Sequence, residues 1–77
     1  MNHAPSDTEA ELDPREVAIL EILRSKAGRV VTRTELAHAA GLRHHPRRVD
    51  VHLVNVRRHL GDDLLVNVRS RGWMLPR

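Results

Sequence analysis

The segment RRVDVHLVNVRRHLG, residues 47–61, decides how this 77-residue chain folds. At 100° per residue, Val49, Leu53, Val56 and Leu60 fall on one narrow stripe, with spacings of 4, 3 and 4. Such a stripe predicts a helix that packs one side onto a core. The opposite side also carries valine and is bordered by arginine, so it differs from an ordinary solvated face.

The outer face of this predicted helix, over about residues 47–60, combines short side chains with long cations. Its members are Arg47, Arg48, Val51, Val54, Asn55, Arg57 and Arg58. A helix that enters the major groove of DNA needs short side chains that meet base edges and cations that reach phosphates. Valine can contact a thymine methyl, and asparagine can pair with adenine. The alternatives are a solvated face with two stray valines and a second packing surface.

The formal net charge is +3, and the basic residues are concentrated in the second half of the chain. Residues 42–61 hold five arginines against Asp50 alone, and three more arginines follow Leu64 with no acid. This clustering is typical of a polyanion-binding surface. Arginine is suited to phosphate and guanine because its donors form a planar fork. Codon bias in a GC-rich genome is the alternative explanation, since 12 of the 13 basic residues are arginine.

Residues 1–11 are acidic and polar, which predicts a disordered tail, and residues 12–77 are long enough for one small domain. Two capping boxes predict two helices before the segment described above. Asp13 and Glu16 begin helix 1, which runs to about residue 26, and Thr32 and Glu35 begin helix 2 over roughly residues 33–40. The link between these helices, RVV at residues 29–31, is too short for more than a minimal strand.

The segment LLVNVRSRGWML, residues 64–75, predicts a hairpin with strands at 65–69 and 73–75 and a turn at 70–72. Asn67, Arg69 and Arg71 alternate and should project on one side. A basic hairpin tip, residues 67–72, suits the narrow minor groove next to a major-groove helix, although these arginines could also be only solubilising charges. The order predicts a mainly α fold with a small β-hairpin, the winged helix-turn-helix.

Three stretches resemble the OmpR/PhoB-type effector domain of bacterial response regulators. RRVDVHLVNVRRHLG is similar to the family's recognition-helix pattern R-T-V-D-V-H-I-x-x-L-R-x-K-L, and VRSRGWML to its wing pattern V-R-G-x-G-Y-x-L. Upstream, LDPREVAILEILRSKAGRVVTRTEL resembles the family's first two helices and their link. The resemblance covers about residues 12–75 and implies a DNA-binding transcriptional regulator.

The resemblance also implies roles for residues on the recognition helix. Arg47, His52 and Arg57 would contact phosphates, whereas Val51 and Asn55 would face bases. These assignments are expectations that depend on the matching of positions to the family pattern.

The resemblance implies further roles for residues outside the outer face of the recognition helix. Asn67 and Arg69 match the part of the wing that meets the minor groove, and Asp50 would orient neighbouring side chains. The loop of residues 42–46, from Leu42 to Pro46, stands where activators of this family touch RNA polymerase.

Several features depart from the family pattern. Because few residues precede helix 1, we expect the family's small N-terminal sheet and its receiver domain to be absent from these 77 residues. Without that sheet, apolar surface on helix 1 would be uncovered and could form a homodimer or partner site. Val54 and Asn55 replace residues that are often basic, and Ser70 stands where glycine is usual in the wing turn.

The sequence gives little support for catalysis, a metal site or a membrane. His44 and His45 are adjacent in a loop, and His52 and His59 lie seven residues apart, without a carboxylate at ligand spacing. There is no cysteine and no glycine-rich phosphate loop. No apolar run could form a signal or a membrane span, so we expect a cytoplasmic, nucleoid-associated protein without a cofactor.

Two functional hypotheses therefore remain. The first is sequence-specific binding of double-stranded DNA as a transcriptional regulator. The alternative is a small winged-helix module that docks on RNA polymerase, a sigma factor or another regulator.

Overall fold

The computed structural model describes residues 12–61 and 63–76. Its elements are α1 (Pro14–Ser25), α2 (Arg33–Ala39), a 3-10 turn (Pro46–Arg48), α3 (Val49–Leu60), β1 (Val66–Val68) and β2 (Gly72–Met74). Three helices followed by an antiparallel hairpin confirm the predicted winged helix-turn-helix. The predicted acidic tail, residues 1–11, lies outside the described residues.

Both capping boxes form as the sequence predicts. The Asp13 side chain accepts a hydrogen bond from the Glu16 backbone N–H at 2.9 Å, and Glu16 accepts one from the Asp13 backbone at 3.2 Å. Thr32 and Glu35 make the same reciprocal pair at the start of α2. Each box satisfies backbone donors that the first helical turn leaves without partners, so the start of both helices is fixed locally.

The core lies where the three helices meet. Val49, Leu53 and Val56 of α3 are fully buried, as the stripe predicts, and Leu60 packs partly buried against the same core. Residues of the other elements complete it: Leu12, Ile19, Leu20, Leu23, Val31, Leu36, Ala37, Ala40, Leu42 and Leu65. The core therefore orients α3 with its stripe inward and its opposite face outward.

The start of α3 and the hairpin turn differ from prediction. The predicted continuous helix begins as a 3-10 turn at Pro46, which has no backbone N–H, and α-helical geometry starts at Val49. In the hairpin, Val68 pairs with Gly72, so residues 69–71 form the turn and Gly72 belongs to β2. The turn sits one residue earlier because Ser70 itself adopts a left-handed conformation, with φ of 66°.

The hairpin is attached to the rest of the domain through β2. Val31 and Trp73 exchange two backbone hydrogen bonds of 2.7 and 2.9 Å, which confirms the minimal strand in the α1–α2 link. The Gly28 N–H also donates to the Leu75 carbonyl at 2.7 Å. Gly72 allows this approach, because a Cβ at its position would collide with the carbonyl oxygen of Val31. The wing is thus held at a fixed place beside α3.

Candidate nucleic-acid interface

The outer face of α3 exposes two large apolar side chains. Val51 is 72% exposed and Val54 is 55% exposed, while Val49, Leu53 and Val56 on the other side of the same helix are fully buried. Exposed valines on a charged helix have no stabilising role in the isolated domain. This face is available for an external contact.

Exposed arginines border the valine pair. Arg58 lies on α3 itself, and Arg47 and Arg48 lie on the 3-10 turn that precedes it. Because these two residues are not on the α-helix proper, the helical angle used for the sequence prediction does not apply to them. All three are nevertheless exposed and sequentially close to the valines, so the structure retains a short apolar pair flanked by long cations.

His52 and Asn55 are engaged inside the protein, which sequence reasoning missed. The Asn55 amide Nδ2 donates to Glu16 Oε1 at 2.8 Å, and His52 Nδ1 lies 2.7 Å from Glu16 Oε2. Asn55 was expected to point fully outward. The structure instead makes it half-buried and turns its amide nitrogen toward α1. Its partner Glu16 is 36 and 39 positions away from these two residues, so helical periodicity could not reveal the contact.

The Glu16 carboxyl group stays ionised despite its burial. Burial raises the pKa of Glu16, but hydrogen bonds from His52, Asn55 and the Asp13 backbone lower the pKa by more, so the net direction is downward. An ionised carboxylate can only accept hydrogen bonds. The neighbouring atoms of His52 and Asn55 must therefore act as donors.

Arg57 of α3 was predicted to contact a phosphate, and its side chain extends toward the wing. Its guanidinium carbon is 5.6 Å from the centroid of the Trp73 ring, within the range of a cation–π interaction. Its Nε is buried and has no hydrogen-bond acceptor within residues 12–61 and 63–76. The guanidinium therefore retains unused donor capacity at the junction between the helix and the wing.

Arg33, at the first position of α2, is a second residue that the sequence analysis missed. It forms a two-pronged pair with Asp50, with Nε to Oδ1 at 3.1 Å and Nη2 to Oδ2 at 3.2 Å. Asp50 thus orients a neighbouring side chain, as the family resemblance implies. The pair spans 17 positions, and arginine at the start of a helix gave no sequence signal for it.

The wing residues join Arg33 around one cleft. Asn67, Arg69 and Arg71 line it together with Arg33, and the floor includes Trp73. The prediction that these three wing residues project on one side remains a prediction, because all residues from 67 to 73 line the cleft and residues 69–71 form the turn. Three arginines around a cleft favour an anionic ligand such as a phosphate group.

The comparison with protein families adds an independent finding. The family model described as "transcriptional regulatory protein, C terminal" matches residues 7–75. The chain belongs to this family. Its members are OmpR/PhoB-type effector domains, which are DNA-binding regulatory domains and not enzymes. No curated protein matches the chain.

Among the described residues of this effector domain, one cluster of side chains consists of residue types that can bind a metal ion. Asp13, Glu16 and His52 offer ligand atoms that all lie within 4.8 Å of one another. The sequence analysis found no carboxylate at ligand spacing from His52, because the fold brings these residues together from two separate helices. The same atoms already take part in the α1 capping box and the Glu16–His52 contact. The arrangement is therefore explained by internal hydrogen bonding.

The two predicted protein-contact regions of the effector domain are smaller than expected. In the loop of residues 42–46, Leu42 is only 6% exposed and belongs to the core, whereas residues 43–46 are exposed. On α1, Ile19, Leu20 and Leu23 are buried, and Val17 is the large apolar side chain of that helix that remains exposed. Within the described parts of the chain, no helix is long and apolar enough to cross a bilayer.

Proposed function

We propose that this effector domain binds double-stranded DNA sequence-specifically and regulates transcription in the bacterial cytoplasm. In this proposal α3 occupies the major groove, and the wing tip, residues 67–72, reaches the adjacent minor groove. The exposure of Val51 and Val54 beside Arg58 is the observation that carries the proposal, because short apolar side chains suit base edges and an adjacent cation suits phosphate.

The charge distribution around α3 supports the same function. Two carboxylates beside this face are engaged within the domain. Asp50 pairs with the cation of Arg33, and Glu16 accepts a hydrogen bond from Asn55 and contacts His52 of α3. The remaining exposed charges on the turn, on α3 and on the wing are arginines, namely Arg47, Arg48, Arg58, Arg69 and Arg71. Such an excess of positive charge attracts a polyanion.

In the proposed complex the contacts divide into two classes. Val51, Val54 and Asn55 meet base edges, whereas His52 and the arginines of α3 and the turn contact phosphates. Asn67, Arg69 and Arg71 approach the minor groove from the wing. Arg33 joins the phosphate contacts because it shares the wing cleft.

An amide-resolved NMR titration with a mixed-sequence duplex tests this function. We expect shifts concentrated in residues 47–58 and 67–71, which fade as salt rises. If about five phosphates are neutralised, the log–log dependence of affinity on salt should have a slope of about −4 to −5. Unmoved amides in a folded domain, or a flat salt dependence, would contradict DNA binding.

A second function, contact with RNA polymerase, is supported by the exposed loop at residues 43–46 beside α3. A protein bound to DNA through α3 would leave this loop accessible. Substitution of Arg43 and His44 by alanine should abolish polymerase recruitment without weakening DNA binding. Loss of DNA binding alone in that variant would contradict this second role.

A further inference from the structure

Glu16 connects the start of α1 to the DNA-facing helix through one buried carboxylate. Its side chain is 6% exposed. Oε1 accepts hydrogen bonds from the Asp13 backbone N–H and from Asn55 Nδ2, and Oε2 lies 2.7 Å from His52 Nδ1. His52 and Asn55 are three positions apart and so lie on the same side of α3. A single group on α1 thereby holds two side chains of the interface.

The chemistry of a carboxylate fixes the orientation of both partners. An asparagine amide can rotate by 180° and exchange its donor and acceptor ends, and a neutral histidine can carry its hydrogen on either nitrogen. Because the Glu16 carboxylate accepts hydrogen bonds only, the Asn55 Nδ2 end must face it and Oδ1 must face away. For the same reason His52 must donate from Nδ1, which leaves Nε2 as the ring atom free for an outside partner.

The orientation of Asn55 determines what its free atoms can recognise. Oδ1 and the second N–H of the amide are available next to Val51, Val54 and Arg58, which line the same shallow depression on the outer face. An acceptor and a donor side by side match the N6 and N7 atoms of adenine in the major groove. The exposed valine methyl groups suit contact with a thymine methyl.

We propose that Glu16 is a positioning residue for base recognition, which holds Asn55 in the orientation that prefers an A·T pair. This inference rests on the proposed DNA-binding function and goes beyond it, because it names the base pair and the residue that sets the preference. Glu16 does not touch DNA in this arrangement. It acts through the amide that it orients.

The chain provides a matched pair of variants for the test. Glu16→Gln and Glu35→Gln both remove one negative charge at the third position of a capping box, where glutamine also functions. Only Glu16 contacts α3 through these hydrogen bonds, since Glu35 pairs with Thr32 and Lys26. A glutamine amide at position 16 can offer either end, so it no longer imposes one orientation on Asn55.

The experiment begins with selection of preferred duplexes from a random library by the wild-type protein. Affinity is then measured for duplexes in which each selected base pair is changed in turn. At one position, we expect wild type and Glu35→Gln to bind the A·T duplex about tenfold more tightly than the duplexes with another base pair. For Glu16→Gln we expect this ratio of affinities to fall to about twofold. Asn55→Ala should remove this preference, and Glu16→Gln should then cause no further change in the double variant.

The outcomes separate the two proposals. Absence of salt-dependent binding by wild type would contradict the proposed function itself. Two results would overturn the positioning role while leaving DNA binding intact. In the first, Glu16→Gln keeps the full preference for A·T. In the second, Glu35→Gln loses that preference as much as Glu16→Gln does. If Glu16→Gln does not fold, the wild-type Asn55 side-chain amide signals decide the question. They should shift with the selected duplex and remain still with its G·C counterpart, and equal shifts would overturn the inference.

Discussion

The guanidinium of Arg57 lies over the indole ring of Trp73, with its central carbon 5.6 Å from the ring centroid. This contact joins the last turn of α3 to the second strand of the wing. Arg57 therefore has two roles that the sequence alone could not distinguish. We propose that it contacts DNA as a cation, and the structure shows that it packs against Trp73 of the wing.

Arg57→Ala should weaken binding to all duplexes by a similar factor and reduce the salt slope by about one, because one phosphate contact is lost. It should also lower the free energy of unfolding by about 0.5–1 kcal/mol through loss of the cation–π contact. Fluorescence-anisotropy titrations and urea denaturation measure the two effects. Arg58→Ala is the control, since Arg58 is exposed and should affect binding only. A sequence-dependent effect of Arg57→Ala would argue against a phosphate contact.

Arg33→Ala should reduce affinity for all duplexes, since Arg33 shares the wing cleft with Arg69 and Arg71. Arg33→Lys should restore little of the loss, because lysine cannot reproduce the two-pronged pair with Asp50. The free energy of unfolding should change by less than about 1 kcal/mol, since both partners are about half exposed. Arg29→Ala, at an exposed position outside the cleft, serves as the control in the same binding assay. Equal effects of the alanine variants at 29 and 33 would indicate a general charge effect.

Two substitutions in the wing should have opposite consequences. Ser70→Gly should raise the free energy of unfolding slightly, by up to about 1 kcal/mol, because Ser70 holds a left-handed φ of 66° that glycine adopts without strain. Gly72→Ala should lower it by at least about 2 kcal/mol, since Gly72 has a φ of 152° and a Cβ there meets the Val31 backbone. Chemical denaturation of both variants checks the prediction. A destabilised Ser70→Gly variant would show that the serine hydroxyl has a role of its own.

The stability of the domain should fall in acid partly through Glu16. The pKa of Glu16 is lowered on folding from its ordinary value of about 4.5, so its stabilising contribution is fully present above that pH. The contribution is lost as the pH falls through the lower folded pKa. Glu35 behaves in the same way, because its hydrogen bond from the Thr32 backbone and its pair with Lys26 lower the pKa of its carboxyl group.

Glu16→Gln should therefore flatten the dependence of unfolding free energy on pH below about pH 4.5 without abolishing it. Urea denaturation at pH 7, 4.5 and 3 provides the measurement. Glu35→Gln should flatten the curve as well, and the double variant should flatten it further. An unchanged acid slope in Glu16→Gln would mean that the buried carboxyl group carries no net shift.

The helices and the inward face of α3 could be predicted because their signals are local. The capping pairs at Asp13–Glu16 and Thr32–Glu35 are three residues apart, and the α3 stripe follows from a fixed angle per residue. The same local signals predicted the order of elements, and the family resemblance, confirmed by the family match, agrees with it. The sequence was therefore sufficient for the fold and for predicting which face of α3 is exposed.

The remaining features depend on contacts between distant parts of the chain. Periodicity correctly puts Asn55 away from the stripe, but it does not show that Glu16 of another helix captures its amide. Arg33 and Asp50 likewise meet only because the fold brings the starts of α2 and α3 together. The turn at residues 69–71 was displaced from the predicted position because Ser70 took the backbone conformation expected of a glycine.

The attachment of β2 to Val31 has a spectroscopic consequence. Trp73 is the chain's only aromatic residue, and it sits half-buried at the point where the wing meets the α1–α2 link. Tryptophan emission therefore reports the docking of the wing alone, whereas far-ultraviolet circular dichroism is dominated by the three helices. Recorded on the same sample during heating, the two signals distinguish a wing that detaches early from a domain that unfolds as a single cooperative unit.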